Sequence, residues 1–211
     1  MKELDKILDD KEKVLWEGKP KFWPFFLGGS VITTIFGLFW MLFLIPFIGF
    51  AIYDIIFGSH ILGFGIFLLP HFWIGIVLVF GIPLYQILVY KHVYYAITNK
   101  RVLFQKGLIG RDFEITDFDQ ITNAEVNVGL FDKLFGDNSG SILISTAGSF
   151  TYGKHGQQIS RPYSLRNIEN PYEVFKFFKK VSHAVKTDIQ YPNKYRPSTN
   201  PGYNTDYNPK K

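Results

Sequence analysis

The chain has 211 residues with 23 basic and 18 acidic side chains, a formal net charge of +5 and no cysteine. Without cysteine there is no disulfide framework, no thiolate nucleophile and no cysteine-ligated metal. The basic surplus falls after residue 90 and comes without a basic run or a recognisable nucleic-acid motif, so it suits an anionic membrane surface and not nucleic acid.

Residues 1–24 balance six basic against six acidic side chains and lack an apolar centre, which excludes the reading of a cleavable signal peptide. Leu4, Ile7, Leu8, Val14 and Leu15 recur among Lys, Asp and Glu, a spacing that predicts a short amphipathic helix. Gly18 and Pro20 would stop it, leaving Trp16, Phe22 and Trp23 at headgroup depth.

Between Lys21 and Lys91 the only formal charge is Asp54. A bilayer crossing takes about 20 apolar residues, so residues 25–90 read as a transmembrane helical hairpin. The first crossing is expected from Phe25 to Phe47, with Pro46 at its exit or a kink, and the second from Ile66 or Phe72 to Tyr90, kinked at Pro70 and Pro83. Gly28, Gly29, Ser30, Thr33, Thr34 and Gly37 make a narrow surface for close helix packing. Ile48 to Gly65 reads as an interfacial helix, with a re-entrant segment or tilted extensions of the crossings as alternatives. Basic residues flank the hairpin only on the side of its ends, Lys19 and Lys21 before it and Lys91, Lys100 and Arg101 after it. The positive-inside bias therefore predicts a multi-pass protein of the cytoplasmic membrane with both termini in the cytoplasm.

From residue 91 the hydrophobic period becomes two. Val93–Thr98 and Arg101–Lys106 read as strands joined by a tight turn at Asn99-Lys100. Further strand-like runs lie around Phe113 and Ile115, Ala124 to Val128, Ile142 and Ile144, Phe150 and Tyr152, and Tyr163 and Leu165, with a turn at Gly136 to Gly140. Asn170-Pro171-Tyr172-Glu173 starts a helix by N-cap, N1 proline and a glutamate three residues on. Phe175, Phe178, Val181 and Val185 follow at helical spacing. Residues 91–187 thus form a seven-stranded barrel or sandwich capped by a C-terminal helix, and the Tyr-, Pro- and Asn-rich stretch 188–211 is expected to be disordered.

The order of motifs resembles a known family. Tyr95-Ala96-Ile97-Thr98-Asn99-Lys100-Arg101-Val102, then Gln120-Ile121 leading to Val126, Leu130-Phe131-Asp132-Lys133-Leu134-Phe135-Gly136, and Ile142 to Gly148 are similar to bacterial pleckstrin-homology-like (PH-like) membrane proteins. Leu15-Trp16-Glu17-Gly18-Lys19-Pro20 ahead of a two-helix hairpin resembles their usual N-terminus. The resemblance implies a helix-capped PH-like module on a cytoplasmic face and no catalytic residue. Two features depart from it: the long apolar connection Ile48 to Gly65, and an extra loop at Lys154 to Gln158.

Two clusters are candidate sites. Thr98, Lys100 and Arg101 form the first hairpin turn, near where eukaryotic PH domains hold phosphoinositide headgroups, and Lys100, Arg101, Lys106 and Arg111 would attract anionic lipid by about 1 kcal/mol each. If the strand leading to the turn stands upright, its roughly six residues hold the turn about 20 Å from the membrane, where these residues are better placed to bind a protein partner. The bland alternative is a structural turn whose charges follow the topology bias. Asp54, His60 and His71 are ionisable groups inside an apolar stretch, a setting for proton relay or metal binding. Their spacing matches no helical ligand motif, and outer-interface residues are the plainer reading. No nucleophile triad, phosphate loop or paired-carboxylate motif stands out. The expectation is a non-enzymatic, cofactor-free, membrane-anchored PH-like module that contacts the bilayer and binds a membrane or cytoplasmic protein. Anionic-lipid recognition is the alternative, and a membrane enzyme or ion path using Asp54, His60 and His71 is a third class.

Overall fold

Val14–Gly18 form a strand, β1, and not the end of a helix. In the computed structural model, which describes residues 6–10, 12–58, 63, 65, 68–108, 112–147, 150–152, 158–160 and 162–190, β1 pairs antiparallel with β2 (Tyr94–Thr98), Gly18 opposite Tyr95 and Val14 opposite Thr98. The helical spacing of the N-terminal apolar residues has another cause. Ile7 and Leu8 pack on Ala96 and Leu103, covering the outer face of the sheet. Tertiary pairing has overridden a weak local periodicity.

The chain divides into two compact units, residues 1–25 with 92–211 and residues 26–91. The second unit is helical. Helix α1 (Phe22–Phe57) runs 36 residues straight past Pro46, about 54 Å at 1.5 Å per residue. The expected exit at Pro46 is therefore overturned, as membrane helices tolerate an internal proline where neighbouring groups re-satisfy the freed carbonyl. The first ten residues of the expected interfacial helix, 48–57, extend α1 instead. Ser59, His60, Ile61 and Leu62 lie outside the described residues. The return helix comprises α2 (Pro70–Ile76), a π-helical turn (Val77–Gly81) and α3 (Ile82–Tyr90). Pro83 has no N–H to give Val79, and the Ile82 N–H reaches back to the Val77 carbonyl, so the extra residue of the π turn takes up the register that proline interrupts.

The two helices pack through small residues. A side chain added at Gly29 would meet Gln86, and one added at Gly37 would meet Leu78 and Val79, whereas Gly28 faces open space. The Trp40 indole stacks on His71 with centroids 5.9 Å apart, and its N–H donates to the His71 carbonyl at 3.0 Å. Ser30 donates to the Phe26 carbonyl within the helix, as hydroxyls in apolar surroundings do. Phe36, Phe39, Leu42 and Phe43 remain exposed. Both helical stretches are long and apolar enough to cross a membrane, and so much exposed apolar surface makes the protein membrane-associated.

The first unit is all-β with helices at its edges. One antiparallel sheet runs β1-β2-β3-β4, with β3 at Arg101–Lys106 and β4 at Asp112–Asp117. A second runs β5-β6-β9, with β5 at Ile121–Asn127, β6 at Ser139–Thr146 and β9 at Tyr163–Glu169. β7 (Phe150–Tyr152) and β8 (Gln158–Ser160) make a separate ribbon. There are nine strands among the described residues where seven are expected after residue 91, because β1 and β8 were not legible, and the sheets do not join into a closed barrel. Gln158 begins β8, while residues 154–157 of the expected extra loop lie outside the described residues.

The core sits between the two main sheets. Phe104 stacks on Tyr163 at 5.6 Å and meets Tyr95 edge-on at 6.2 Å. Burial pushes the Tyr95 phenol up to about 12, partly opposed by a backbone hydrogen bond at Arg166, so it stays neutral and ties β2 to β9. β6 alternates as a half-buried strand should, with Ile142 and Ile144 inward. After a short helix α4 (Leu130–Phe135) between β5 and β6, the C-terminal helix α5 (Pro171–Gln190) packs on β5, β6 and the 3₁₀ turn Phe118–Gln120. Phe178 and Val181 are buried and Phe178 lies 5.8 Å from Phe118. Phe175 is only half-buried, and Val174 takes the inner place. Asn170 precedes the helix at φ 49°, its side-chain oxygen accepting from Asn138 at 2.5 Å. The expected disordered tail is corrected at its start, because Asp188, Ile189 and Gln190 continue α5; residues 191–211 lie outside the described residues.

Candidate functional site

The basic turn is built around an internal ion pair. The Arg101 guanidinium donates to both Glu12 oxygens, Nε to Oε1 at 3.0 Å and an Nη to Oε2 at 2.7 Å, and pairs with Asp9 at 3.0 Å. The Thr98 hydroxyl donates to Glu12 at 2.7 Å and accepts the backbone N–H groups of Lys100 and Arg101. The Glu12 side chain is fully enclosed. Burial pushes its carboxyl up, but the bonds from Arg101, the Asp9 N–H and Thr98, with the Arg101 charge, outweigh this and hold it below the usual carboxylate value. The Glu12 contact raises Arg101 in turn.

The other described basic candidates, Lys100 and Lys106, also face carboxylates. Lys100 lies 3.5 Å from Asp9. Lys106 donates to Glu114 at 2.6 Å and sits 5.9 Å from the centre of the Phe104 ring, and Arg111 lies outside the described residues. Asp9 and Glu12, which sequence reasoning did not single out, clamp the N-terminal segment across the hairpin. They stand in a run of alternating charge that marks no partner by itself.

The register also places this turn. Gly18 opposite Tyr95 puts the chain's two exits toward the helical unit at one end of the β1–β2 pair, and Val14 opposite Thr98 puts the basic turn at the other. About four residues at roughly 3.3 Å separate the ends.

Within the helical unit, Asp54 is buried and accepts the Gly63 N–H at 2.9 Å, a cap for the chain leaving α1. His71 is engaged with Trp40. His60 lies outside the described residues, and among the described residues no three acidic or imidazole groups gather as a metal site.

A different concavity opens where the two sheets fail to close. It holds about 500 Å³ between β1 and the junction of β9 with α5, within the usual range of ligand sites. Trp16 and Phe177 line it with Glu17, Glu169 and Glu173, against one lysine, Lys19. Gly18 is there for a steric reason: a Cβ would come within 2.6 Å of the Trp16 ring, so only glycine lets the indole fold along β1. The Leu-Trp-Glu-Gly-Lys run is thus one wall of a groove, which its order in the sequence did not reveal.

The family model for the bacterial PH domain matches residues 30–181. The chain belongs to the bacterial PH-domain family. The matched range takes in most of α1 and everything through Val181, but not β1, although β1 completes the four-stranded sheet. No curated protein and no solved structure matches the chain.

In this bacterial PH-domain protein the turn that resembles a headgroup site has its charges engaged at home. A guanidinium bound on two edges by a buried carboxylate must break that pair before it can hold a phosphate. The groove, by contrast, offers an aromatic wall, an acidic rim and the outer edge of β1, whose other edge is taken by β2.

Proposed function

We propose that this protein is a non-enzymatic binding module, held at the cytoplasmic face of the cell membrane by a two-crossing hairpin with both termini in the cytoplasm. Its groove receives an extended, basic segment of a protein partner. The observation that carries this reading is the gap of about 500 Å³ between the edge strands β1 and β9, roofed by α5. An extended chain entering there meets β1 as the edge strand of its sheet among the described residues, the physical basis of strand addition. Glu17, Glu169 and Glu173 favour Lys or Arg in the segment, and Trp16 offers its face to such a cation. Anionic-lipid recognition by the basic residues is less favoured because Arg101 and Lys100 at the turn, and Lys106 at the other end of β3, already face carboxylates.

The test is affinity purification of the full chain from membranes in mild detergent. Glu17→Lys with Glu173→Lys should lower recovery of co-purifying protein at least fivefold while the circular dichroism spectrum stays unchanged. Unchanged recovery with the double variant would overturn the groove assignment. Lys100→Glu, which leaves the Arg101–Glu12 pair in place, should alter neither partner recovery nor binding to anionic vesicles.

A further inference from the structure

The short helix α4 between β5 and β6 carries an apolar surface that the fold does not cover. Leu130, Leu134 and Phe135 are 67%, 63% and 53% exposed, whereas the acidic residue of the same helix, Asp132, is buried. Leu130 and Leu134 stand four apart, on one face. Lys133 lies between them and is exposed.

The tip is also rigidly mounted. One Asp132 oxygen accepts from the Ser139 hydroxyl at 2.6 Å and the Asn167 side-chain amide at 2.9 Å. The other accepts the Gly129 N–H at 3.0 Å. Asn167, held at φ 51°, then passes the connection on: its carbonyl accepts the backbone N–H of Lys21 at 2.7 Å. The Lys21 ammonium donates to the Asp137 carbonyl, two residues past α4, at 2.9 Å and lies 3.4 Å from Glu169.

Lys21 is the residue immediately before α1. From there to Phe25 the helix rises only about 6 Å, with Phe22 and the exposed Trp23 in between, side chains suited to the headgroup layer. The chain of hydrogen bonds from Asp132 through Asn167 to Lys21 therefore ties the apolar tip to the residue that leads into α1.

We propose that α4 is a second membrane contact, with Leu130, Leu134 and Phe135 seated in the interfacial layer of the leaflet that α1 enters and Lys133 among anionic headgroups. The occupant of this surface is lipid, because hydrogen bonds tie α4 to Lys21, next to the aromatic Phe22 and Trp23, and its exposed charge within α4 is basic. The inference rests on insertion of the hairpin.

The chain has no cysteine, so single cysteines can be labelled with an environment-sensitive fluorophore in the full chain, reconstituted in phosphatidylethanolamine–phosphatidylglycerol vesicles. Labels at Leu134→Cys and Lys133→Cys, the second of which leaves all three apolar side chains in place, should both be blue-shifted. Lipids spin-labelled near the headgroup should quench them at least twofold more than lipids spin-labelled near the chain end. A label at Phe39→Cys reports on the hairpin and should be quenched by the deep probe, and one at Lys176→Cys on the exposed side of α5 should be quenched by neither. Quenching at residue 39 with solvent-like, unquenched emission at 133 and 134 overturns this inference alone. Blue-shifted emission at 134 without lipid quenching also overturns it, since a protein surface then covers the tip. No quenching at residue 39 removes the hairpin insertion on which both readings stand.

Discussion

Replacing Arg101 with alanine should destabilise the PH-like module by about 3 kcal/mol, although the residue lies at a surface turn. An exposed ion pair contributes about 0–1 kcal/mol, whereas removing one partner of a buried pair costs about 3–5 kcal/mol. The Glu12 side chain is fully enclosed while that of Arg101 is 15% exposed, which places the effect at the lower end of the buried range. For a domain of this size, roughly 4 °C per kcal/mol makes the loss about 12 °C in the melting temperature of the full chain in detergent, followed by near-ultraviolet circular dichroism. Arg101→Lys should recover little of it, since one ammonium cannot bond both edges of the Glu12 carboxylate. The pH dependence has a fixed sign. The Glu12 carboxyl is held below its ordinary value, so its contribution is fully present above the unfolded-state pKa and is lost as pH falls through the lower, folded-state one. Stability should therefore decline under acidic conditions in the wild type, and Glu12→Gln should lower stability at neutral pH and flatten that decline. A loss below about 1 kcal/mol for Arg101→Ala would mean that the clamp is an ordinary surface pair, and the account of the N-terminal segment as a fixed cover of the sheet would fall with it.

Phe178→Ala should cost the module about 3–5 kcal/mol, because Phe178 is buried against Phe118, while Lys179→Ala should change the melting temperature little; equal effects would mean the inner face of α5 is misassigned. Gly37→Leu should disrupt packing between the two apolar helices, since a side chain there meets Leu78 and Val79, while Gly28→Leu, which meets nothing, should be tolerated. Cysteine cross-linking between α1 and α3 measures the difference, and equal cross-linking in both variants would refute the contact. For the proposed orientation, a cysteine at Ser59 should react with an impermeant reagent outside intact cells and one at Ser198 only after lysis; labelling of residue 198 in intact cells would reverse the topology.

What the amino-acid order determined alone was everything governed by local periodicity and by solvent. The near charge-free run from Lys21 to Lys91 implied apolar helices whatever they pack against, because an unsatisfied backbone cannot sit in hydrocarbon. The β2–β3 hairpin followed from alternation around Asn99-Lys100, and the start of α5 from Asn170 and Pro171. Tertiary structure decided the rest, because the deciding contacts join residues far apart in the chain. Strand β1 exists because Gly18 finds Tyr95 across the whole helical hairpin, and Ile7 and Leu8 look helical until Ala96 and Leu103 are there to be covered. Arg101 reads as a ligand-binding cation until Glu12 is folded against it. Trp16 and Gly18 become a groove only when β9 and α5 supply the opposite wall. A hydrophobic period records which residues seek burial, and only the folded chain supplies the surface that buries them.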